Sequence, residues 1–316
     1  VQITRAVITA AGRGARQYPA SDTVQKAMLP LVDRDGVSKP LLQIIAEEAL
    51  ESGIEEICVV SAPGDEAYYR HHFRSFAANL RQAYPGAPWA EDQARRLIEL
   101  EERLRFAVQP EPEGYGHAVW CARQVVGPNP FLLLLSDHLY ISAGPRRCAR
   151  QLIDLAAEQA GSVSAVKATR EHLIHHYGTI QGRRLADRPD VYAITEILEK
   201  PTLTQAELRL QVPGLRAGHY LCFFGMHVLT PPIFERLDEA VRTGEREHGQ
   251  IPLTPSLNRL AAEETYLALE AQGDRHNIGV KFGVLEAQIA LALSGDDREE
   301  MLRLLLETAV RRGDHA

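Results

Sequence analysis

Residues 6–30 read AVITAAGRGARQYPASDTVQKAMLP, and their types point to anion chemistry. An apolar run, AVIT, enters a turn carrying Gly12, Arg13, Gly14 and Arg16, and Lys26 follows before Met-Leu-Pro. Glycines at a strand end let backbone N–H groups approach a ligand without Cβ obstruction, and successive exposed N–H groups form an anion-binding concavity. Arginine donates two parallel bonds to phosphate, and lysine adds a mobile point charge. A polyphosphate is the natural guest. Two familiar phosphate loops fit poorly. GxGxxG would need glycine where Gln17 stands, and GxxxxGK[ST] is absent. On this turn alone, a tight bend with solvated arginines explains the residues equally well.

Asp137 is a second candidate. It follows five apolar residues, 131–135, with only Ser136 between. A carboxylate at the end of a buried strand is costly unless paired, and a bound cation supplies the pairing. Magnesium takes few protein carboxylates and keeps phosphate and water ligands. Asp137 is therefore the first candidate metal ligand, a turn or N-cap role being the alternative.

The elements that must hold these residues alternate along the chain. Residues 6–9, 56–61 and 130–136 read as apolar strands, and 41–52, 65–76 and 117–126 as helices. Residues 77–105 are charged, contain proline and end in QARRLIELEERLR, which predicts an inserted, solvated helix. Further on, 162–168, 192–198 and 220–229 read as strands, 231–243 and 251–264 as helices, and 274–293 as a turn leading into a helix. Short apolar strands separated by helices predict an α/β fold with a mainly parallel sheet flanked by helices, and ligands at the strand ends. Residues 297–312 are amphipathic at helical spacing.

Composition narrows the class. The chain has 316 residues, a net charge of −7, 45% hydrophobic and 24% charged residues, the balance of an ordinary globular protein. No long basic tract argues for nucleic acid, and no apolar run reaches a membrane span. The N-terminal residues lack the zones of a signal peptide, so the expectation is a cytoplasmic protein. Cys58, Cys121, Cys148 and Cys222 lie far apart without CxxC spacing, which predicts small buried thiols.

AAGRGARQYP followed by KAMLP resembles the signature of sugar-1-phosphate nucleotidyltransferases, AGxGTRxxP…KxMLP. The order continues downstream. QPEPEGYGHAV (109–119) is similar to that family's base-binding segment, and LLLLSDHLY (132–140) to its strand ending in a metal-binding aspartate. HYGTI (176–180) and ILEKP (197–201) are similar to its sugar and sugar-phosphate segments. FGMHVLTPPIF (224–234) and HNIGVKFGVLEA (276–287) complete the series. The resemblance spans roughly residues 3–293. KAMLP, GYGHAV and the insertion after His71-His72-Phe73 are closest to the bacterial UTP–glucose-1-phosphate uridylyltransferase branch.

The resemblance implies a Rossmann-like nucleotide-diphospho-sugar transferase fold with a smaller sugar-binding and oligomerisation lobe. It divides the chain into a transferase domain, 1–293, and a C-terminal helix, 294–316. Within the domain, 1–140 would serve mainly the nucleotide and 141–293 mainly the sugar phosphate. The implied reaction joins a nucleoside triphosphate to a sugar-1-phosphate with Mg2+, in a homo-oligomer of two or four chains, with no nucleic-acid or membrane partner. Gly12, Arg13, Gly14 and Arg16 would hold the triphosphate, Arg16 on the departing pyrophosphate, and Lys26 would bridge phosphates. Ala10 and Ala11 would offer backbone to the base, and Gln109 has an amide that both donates and accepts. Pro112 and Gly114 would wall the base, while His117 reads as structural. Glu199 would bind sugar hydroxyls and Lys200 the sugar phosphate. Adjacent strand residues face opposite ways, so both reach one ligand only if the strand end is irregular. Gly178 and Gly225 would admit the sugar, and Asp137 with Asn277 would hold the metal.

Departures from the family pattern are also present. Ala15 replaces a threonine, and Asn277 stands where a second aspartate is usual, which predicts weaker metal binding without nucleotide. Gly279-Val280 and residues 34–39 also differ. A dTTP or CTP enzyme and a non-catalytic nucleotide-sugar sensor remain alternatives to UTP and glucose-1-phosphate.

Overall fold

The computed structural model describes residues 2–12 and 24–313. Its strands, in chain order, are β1 (Arg5–Thr9), β2 (Pro30–Val32), β3 (Ser38–Pro40), β4 (Glu56–Ser61), β5 (Leu104–Val108), β6 (Phe131–Leu135) and β7 (His138–Ser142). They continue with β8 (Ser162–Arg170), β9 (Gly178–Arg184), β10 (Val191–Glu199), β11 (His219–Leu229), β12 (Tyr266–Glu270) and β13 (Gly273–Asn277). The described residues fall into two compact units. The first lies within 1–12, 49–135 and 149–271, and the second within 13–48, 136–148 and 272–316.

The first unit is built on a nine-stranded sheet of order β5-β4-β1-β6-β11-β8-β12-β10-β9, flanked by helices. Strands β4, β1 and β6 run parallel, as the apolar runs predict, and β5, where no strand was expected, joins β4 in parallel. The rest is mixed: β11 is antiparallel to both β6 and β8, β12 is parallel to β8, and β10 is antiparallel to β12 and β9. Four leucine and phenylalanine side chains of β6, Phe131 to Leu134, are fully buried, the pattern of a strand covered on both faces. Register levels the carboxyl ends. Thr9 lies opposite Val60 and Leu135, and Val60 opposite Ala107. Ala10 continues β1 by donating to Val60 O at 2.8 Å, and Gln109 continues β5 by donating to Ser61 O at 2.9 Å.

The helix predicted over 65–76 runs on to Ala83, and the insertion 77–105 supplies that extension and a second helix, Pro88–Arg103, which is not simply solvated. The second is amphipathic and buries Ala90, Ala94, Leu97 and Leu100, while Tyr69, Phe73, Ala77 and Leu80 are buried on the first. It runs directly into β5, where the sequence reading placed more helix; Arg105 in that strand is bonded to Glu56 at 2.9 Å. The helix expected over 117–126 is two short pieces, Tyr115–Cys121 and Arg123–Val126. All four cysteines are free thiols, and Cys121 alone is only half-buried. Among the described residues no helix is long and apolar enough to cross a membrane.

The second unit holds two small antiparallel sheets, β2 with β3 and β7 with β13. It also contains the helices Gly283–Ser294 and Arg298–Gly313. Of the residues 34–39 that depart from the family pattern, 34–37 form a turn closed by Asp33 N–H to Val37 O at 2.9 Å, and 38–39 begin β3. Lys39 is buried there against Asp33 at 2.7 Å, Asp35 at 2.8 Å and Glu47 at 3.0 Å. Burial alone would lower its pKa, but the carboxylates of Glu47, Asp33 and Asp35 overcome that and hold it above the ordinary lysine range.

Candidate functional site

In the second unit the sequence candidates Lys26, Asp137 and Asn277 gather on β7, β13 and a short 3-10 turn. Lys26 opens that turn, Lys26–Met28, whose Ala27 and Met28 are buried. Asp137 immediately precedes β7. Lys26 Nζ lies 2.7 Å from Asp137 Oδ2, with both side chains about one-seventh exposed at 13% and 14%. Asp137 Oδ1 is 2.7 Å from His138 Nδ1. Burial pushes the Asp137 carboxyl up, but the hydrogen bond from His138 and the Lys26 ammonium outweigh it and hold the group well below the usual carboxylate range. His138 is pulled down by its own burial against the opposing pull of Asp137. A neutral ring with its proton on Nδ1 donates to the carboxylate.

Asn277 stands opposite His138 in the β7–β13 register, and Ile278 N–H donates to Asp137 O at 3.0 Å. The Asn277 amide is oriented because its Oδ1 accepts from Gly279 N–H at 2.8 Å. This gives one of the residues that departs from the family pattern a physical task. Gly283 begins its helix so close that a Cβ there would fall 1.9 Å from the Asn277 carbonyl oxygen. One ionised carboxylate and one amide oxygen are hard donors. Among the described residues no cluster of three or more His, Cys, Asp or Glu forms a protein cage. The donor set fits a small divalent cation completed by phosphate and water.

In the first unit, Gln109 is buried beyond the end of β5. Its Nε2 donates to Gly114 O at 3.0 Å and approaches His117 Nδ1 at 3.2 Å. Gly114 has φ +106°, and a Cβ on it would lie 2.8 Å from Gln250 Cβ and Ile251 O. A Cβ on Gly116 would fall 2.6 Å from Pro252 O. Both glycines of GYGHAV are thus demanded by the close packing of 250–252, where Gly116 N–H also donates to Ile251 O at 2.9 Å. Pro112 is exposed, Ala10 and Ala11 are buried, and among the described residues nothing lies within 4 Å of a Cβ placed on Gly12. Arg13, Gly14 and Arg16, together with Ala15, lie outside the described residues.

Glu199 and Lys200 meet the condition set by their adjacency. Lys200 adopts φ +45°, a left-handed conformation that breaks the strand alternation, and its N–H donates to Tyr177 O at 3.1 Å. Its Nζ then lies 3.6 Å from Glu199 Oε1. Glu199 pairs with Gly178 in the β9–β10 register, and a Cβ on Gly178 would strike the Phe223 ring at 2.7 Å. Gly225, at φ +82°, sits in the irregularity of β11 between Phe223 and His227. Tyr220 is buried in a small core with Ile174, Ala206, Leu210 and Cys222, with Tyr177 packed against it.

Two residues here were not read from the sequence. Thr254 Oγ1 donates to Glu199 Oε2 at 2.9 Å. Asn258 accepts from Ile197 N–H at 2.9 Å and donates to Ile197 O at 2.8 Å. It supplies the end of β10 with a backbone-like partner beyond the last pairing with β12 at Ala193. Both lie on the helix Thr254–Glu263, and only its docking against β10 gives them a role.

Comparison with known proteins bears on the family. The chain is 31% identical over 312 residues to a UTP–glucose-1-phosphate uridylyltransferase of Bacillus subtilis, covering 97% of each. It is 32% identical over 301 residues to UTP–glucose-1-phosphate uridylyltransferase 2 of Staphylococcus saprophyticus, covering 95% of this chain and 96% of the relative. The solved structure of a UTP-bound UGPase from Acinetobacter baumannii aligns with a TM-score of 0.77 at 27% identity, covering 97% of this chain and 99% of that one. The Nucleotidyl transferase family model matches residues 5–276, a stretch that takes in Lys26, Gln109, Asp137, Glu199 and Lys200. Motif order, fold and full-length likeness converge, and the chain belongs to the nucleotidyl transferase family.

Proposed function

We propose that the protein transfers a uridylyl group from UTP to glucose-1-phosphate, giving UDP-glucose and pyrophosphate, with Mg2+ as the metal. The observation that carries this reading is the Lys26–Asp137 pair, an ammonium against an ionised carboxylate at the head of β7. Likeness over nearly the whole chain to two uridylyltransferases supports these particular substrates.

A sugar-phosphate oxygen attacks the α-phosphorus in line, and pyrophosphate departs. Both reactants are anions, so the protein contributes positioning and charge neutralisation rather than a covalent nucleophile. Asp137 and Asn277 would hold Mg2+, which when bound polarises phosphate oxygens. Lys26 brings a second positive charge to the phosphates. Arg13, Gly14 and Arg16 are assigned to the triphosphate with Gly12, and Arg16 to the pyrophosphate. Gln109 reads the base beside Ala10, Ala11, Pro112 and Gly114. Glu199 accepts from sugar hydroxyls while Lys200 takes the sugar phosphate, with Gly178 and Gly225 leaving room for the sugar.

In functional terms, residues 1–140 serve mainly the nucleotide and 141–293 mainly the sugar phosphate, and 294–316 are the C-terminal segment that carries the helix Arg298–Gly313. We place the working protein in the cytoplasm, a reading supported by its four free thiols, and as a homo-oligomer of two or four chains. The deciding experiment is pyrophosphate release with Mg2+ and glucose-1-phosphate across UTP, dTTP, CTP, ATP and GTP. Release with UTP that requires the sugar phosphate is expected. Release only with another nucleotide would move the substrate. No release with any sugar phosphate, while UDP-glucose still binds, would make the protein a sensor.

A further inference from the structure

The Gln109 amide has only one orientation compatible with its neighbours. A carbonyl oxygen accepts and never donates, so the group 3.0 Å from Gly114 O must be Nε2 and not Oε1. The second N–H of that nitrogen meets His117 Nδ1 at 3.2 Å. Both donors of the amide are therefore spent inside the protein. Oε1 is left as the atom with hydrogen-bonding capacity to offer.

His117 is what makes the second bond possible. Its Nδ1 must carry no proton, so the ring proton sits on Nε2. That nitrogen faces Glu113 Oε2 at 3.6 Å and Cys121 Sγ at 3.9 Å. The ring is buried on the helix Tyr115–Cys121 and stacks on Trp120 at 5.5 Å between centroids. Trp120 is itself anchored, with the Arg123 guanidinium 3.5 Å from its ring centre and its Nε1 donating to Asp238 at 3.2 Å. Burial is the first influence that favours the neutral ring. Glu113 and the Glu111 carbonyl oppose it, while Arg246 and Arg123 reinforce it.

We propose that His117 is a positioning residue for base selection. By accepting from Gln109 it holds Oε1 as the group presented to the base. The site then favours uracil or thymine, whose N3 carries a hydrogen, over cytosine, whose N3 is an acceptor. An acceptor set against an acceptor leaves both unpaired in a desolvated place. The inference rests on the reading of Gln109 as the base-reading residue.

The test is the ratio of kcat/KM for UTP to that for CTP, with Mg2+ and glucose-1-phosphate, in the wild type and in His117 variants. His117→Phe keeps the ring volume and removes the acceptor. The ratio should fall by about tenfold or more, the cost of freeing an amide that had been locked. His117→Asn places an amide oxygen where Nδ1 stood and should restore most of the preference. An unchanged ratio in His117→Phe overturns the proposal, as does a His117→Asn variant no better than His117→Phe. Should His117→Phe fail to fold, His117→Gln takes its place, since its amide reaches the Nε2 position instead. Equal ratios for the Asn and Gln variants then overturn the proposal. A wild type that uses UTP and CTP equally also overturns it, and leaves nucleotidyl transfer standing. A wild type that uses no nucleotide defeats the functional reading. In that case the ring 15N shifts of His117 still decide the lock: an Nε2–H tautomer supports it and an Nδ1–H tautomer overturns it.

Discussion

The Lys26 ammonium lies 2.7 Å from one oxygen of Asp137, and the His138 ring lies 2.7 Å from the other. Both carboxylate oxygens are thus engaged by neighbours that favour the charged form. Preorganised charge of this kind is worth most where water is scarce. Lys26→Ala and Asp137→Ala should each lower turnover by about a hundredfold or more, the scale seen when one electrostatic contact to a transition state is removed. Far-UV circular dichroism should stay that of the wild type. Near-normal turnover in either variant would remove that residue from the chemistry.

Asn277 offers an oxygen without a charge, so Mg2+ binding in the absence of nucleotide should be weak. Asn277→Asp should tighten it, as read by direct titration of the nucleotide-free protein. If Asn277→Asp and wild type bind Mg2+ alike, residue 277 is not a ligand.

Gly283→Ala tests the same corner by packing. A Cβ there would press on the Asn277 carbonyl at 1.9 Å, so backbone must shift. Overpacking of this kind costs about 1–3 kcal/mol. Urea unfolding should show that loss, and the Mg2+ concentration needed for half-maximal turnover should rise. Wild-type values for both would place the helix start away from Asn277.

Thr254 orients Glu199 through a single hydrogen bond to Oε2. Thr254→Val keeps the shape and removes the donor. The KM for the sugar phosphate should rise by about tenfold, the worth of one bond to a charged group, with the KM for UTP little changed. Equal rises for both substrates would mean that the change is general and not local to the sugar.

His227 makes a separate prediction about acid stability. It is fully buried in β11, with Nδ1 2.5 Å from Ser164 Oγ, which also meets Tyr266 OH at 2.6 Å. Burial lowers its pKa to about 3. Below the ordinary value of 6.5 the unfolded chain gains a proton that the folded ring refuses, so stability falls as pH drops from 6.5 toward 3. The slope approaches about 1.4 kcal/mol per pH unit from this group alone. In His227→Gln the fall between pH 6 and 4 should be shallower by that amount, measured by urea denaturation at each pH. Parallel curves would show that His227 does not govern it.

Much of the parallel half of the sheet could be read locally. PFLLLLS can be little but a covered strand, and its apolar run places Asp137 just beyond the end of a buried element. The strand β5 is not legible in the sequence because Leu104 follows a long amphipathic helix without a turn residue, and Arg105 inside it reads as more helix. Only its pairing with β4 makes it a strand. The same holds for β7 and β13, short segments whose ladder partners lie far apart in sequence.

What the sequence determined by itself was the set of chemical groups and their order: a strand-end glycine turn, Lys26, Gln109, Asp137, and the adjacent Glu199 and Lys200. Those follow from residue type and near-neighbour spacing, which need no partner to be legible. The tertiary structure decided which way each group is turned. Left-handed backbone at Lys200 brings its ammonium to the side of Glu199, and Thr254 and Asn258 arrive from a helix some fifty-five to sixty residues further on. Gly114 and Gly116 belong to the packing of 250–252, which no local reading of GYGHAV could show. Orientation is set by hydrogen bonds and steric limits between distant segments, and those exist only once the chain has closed on itself.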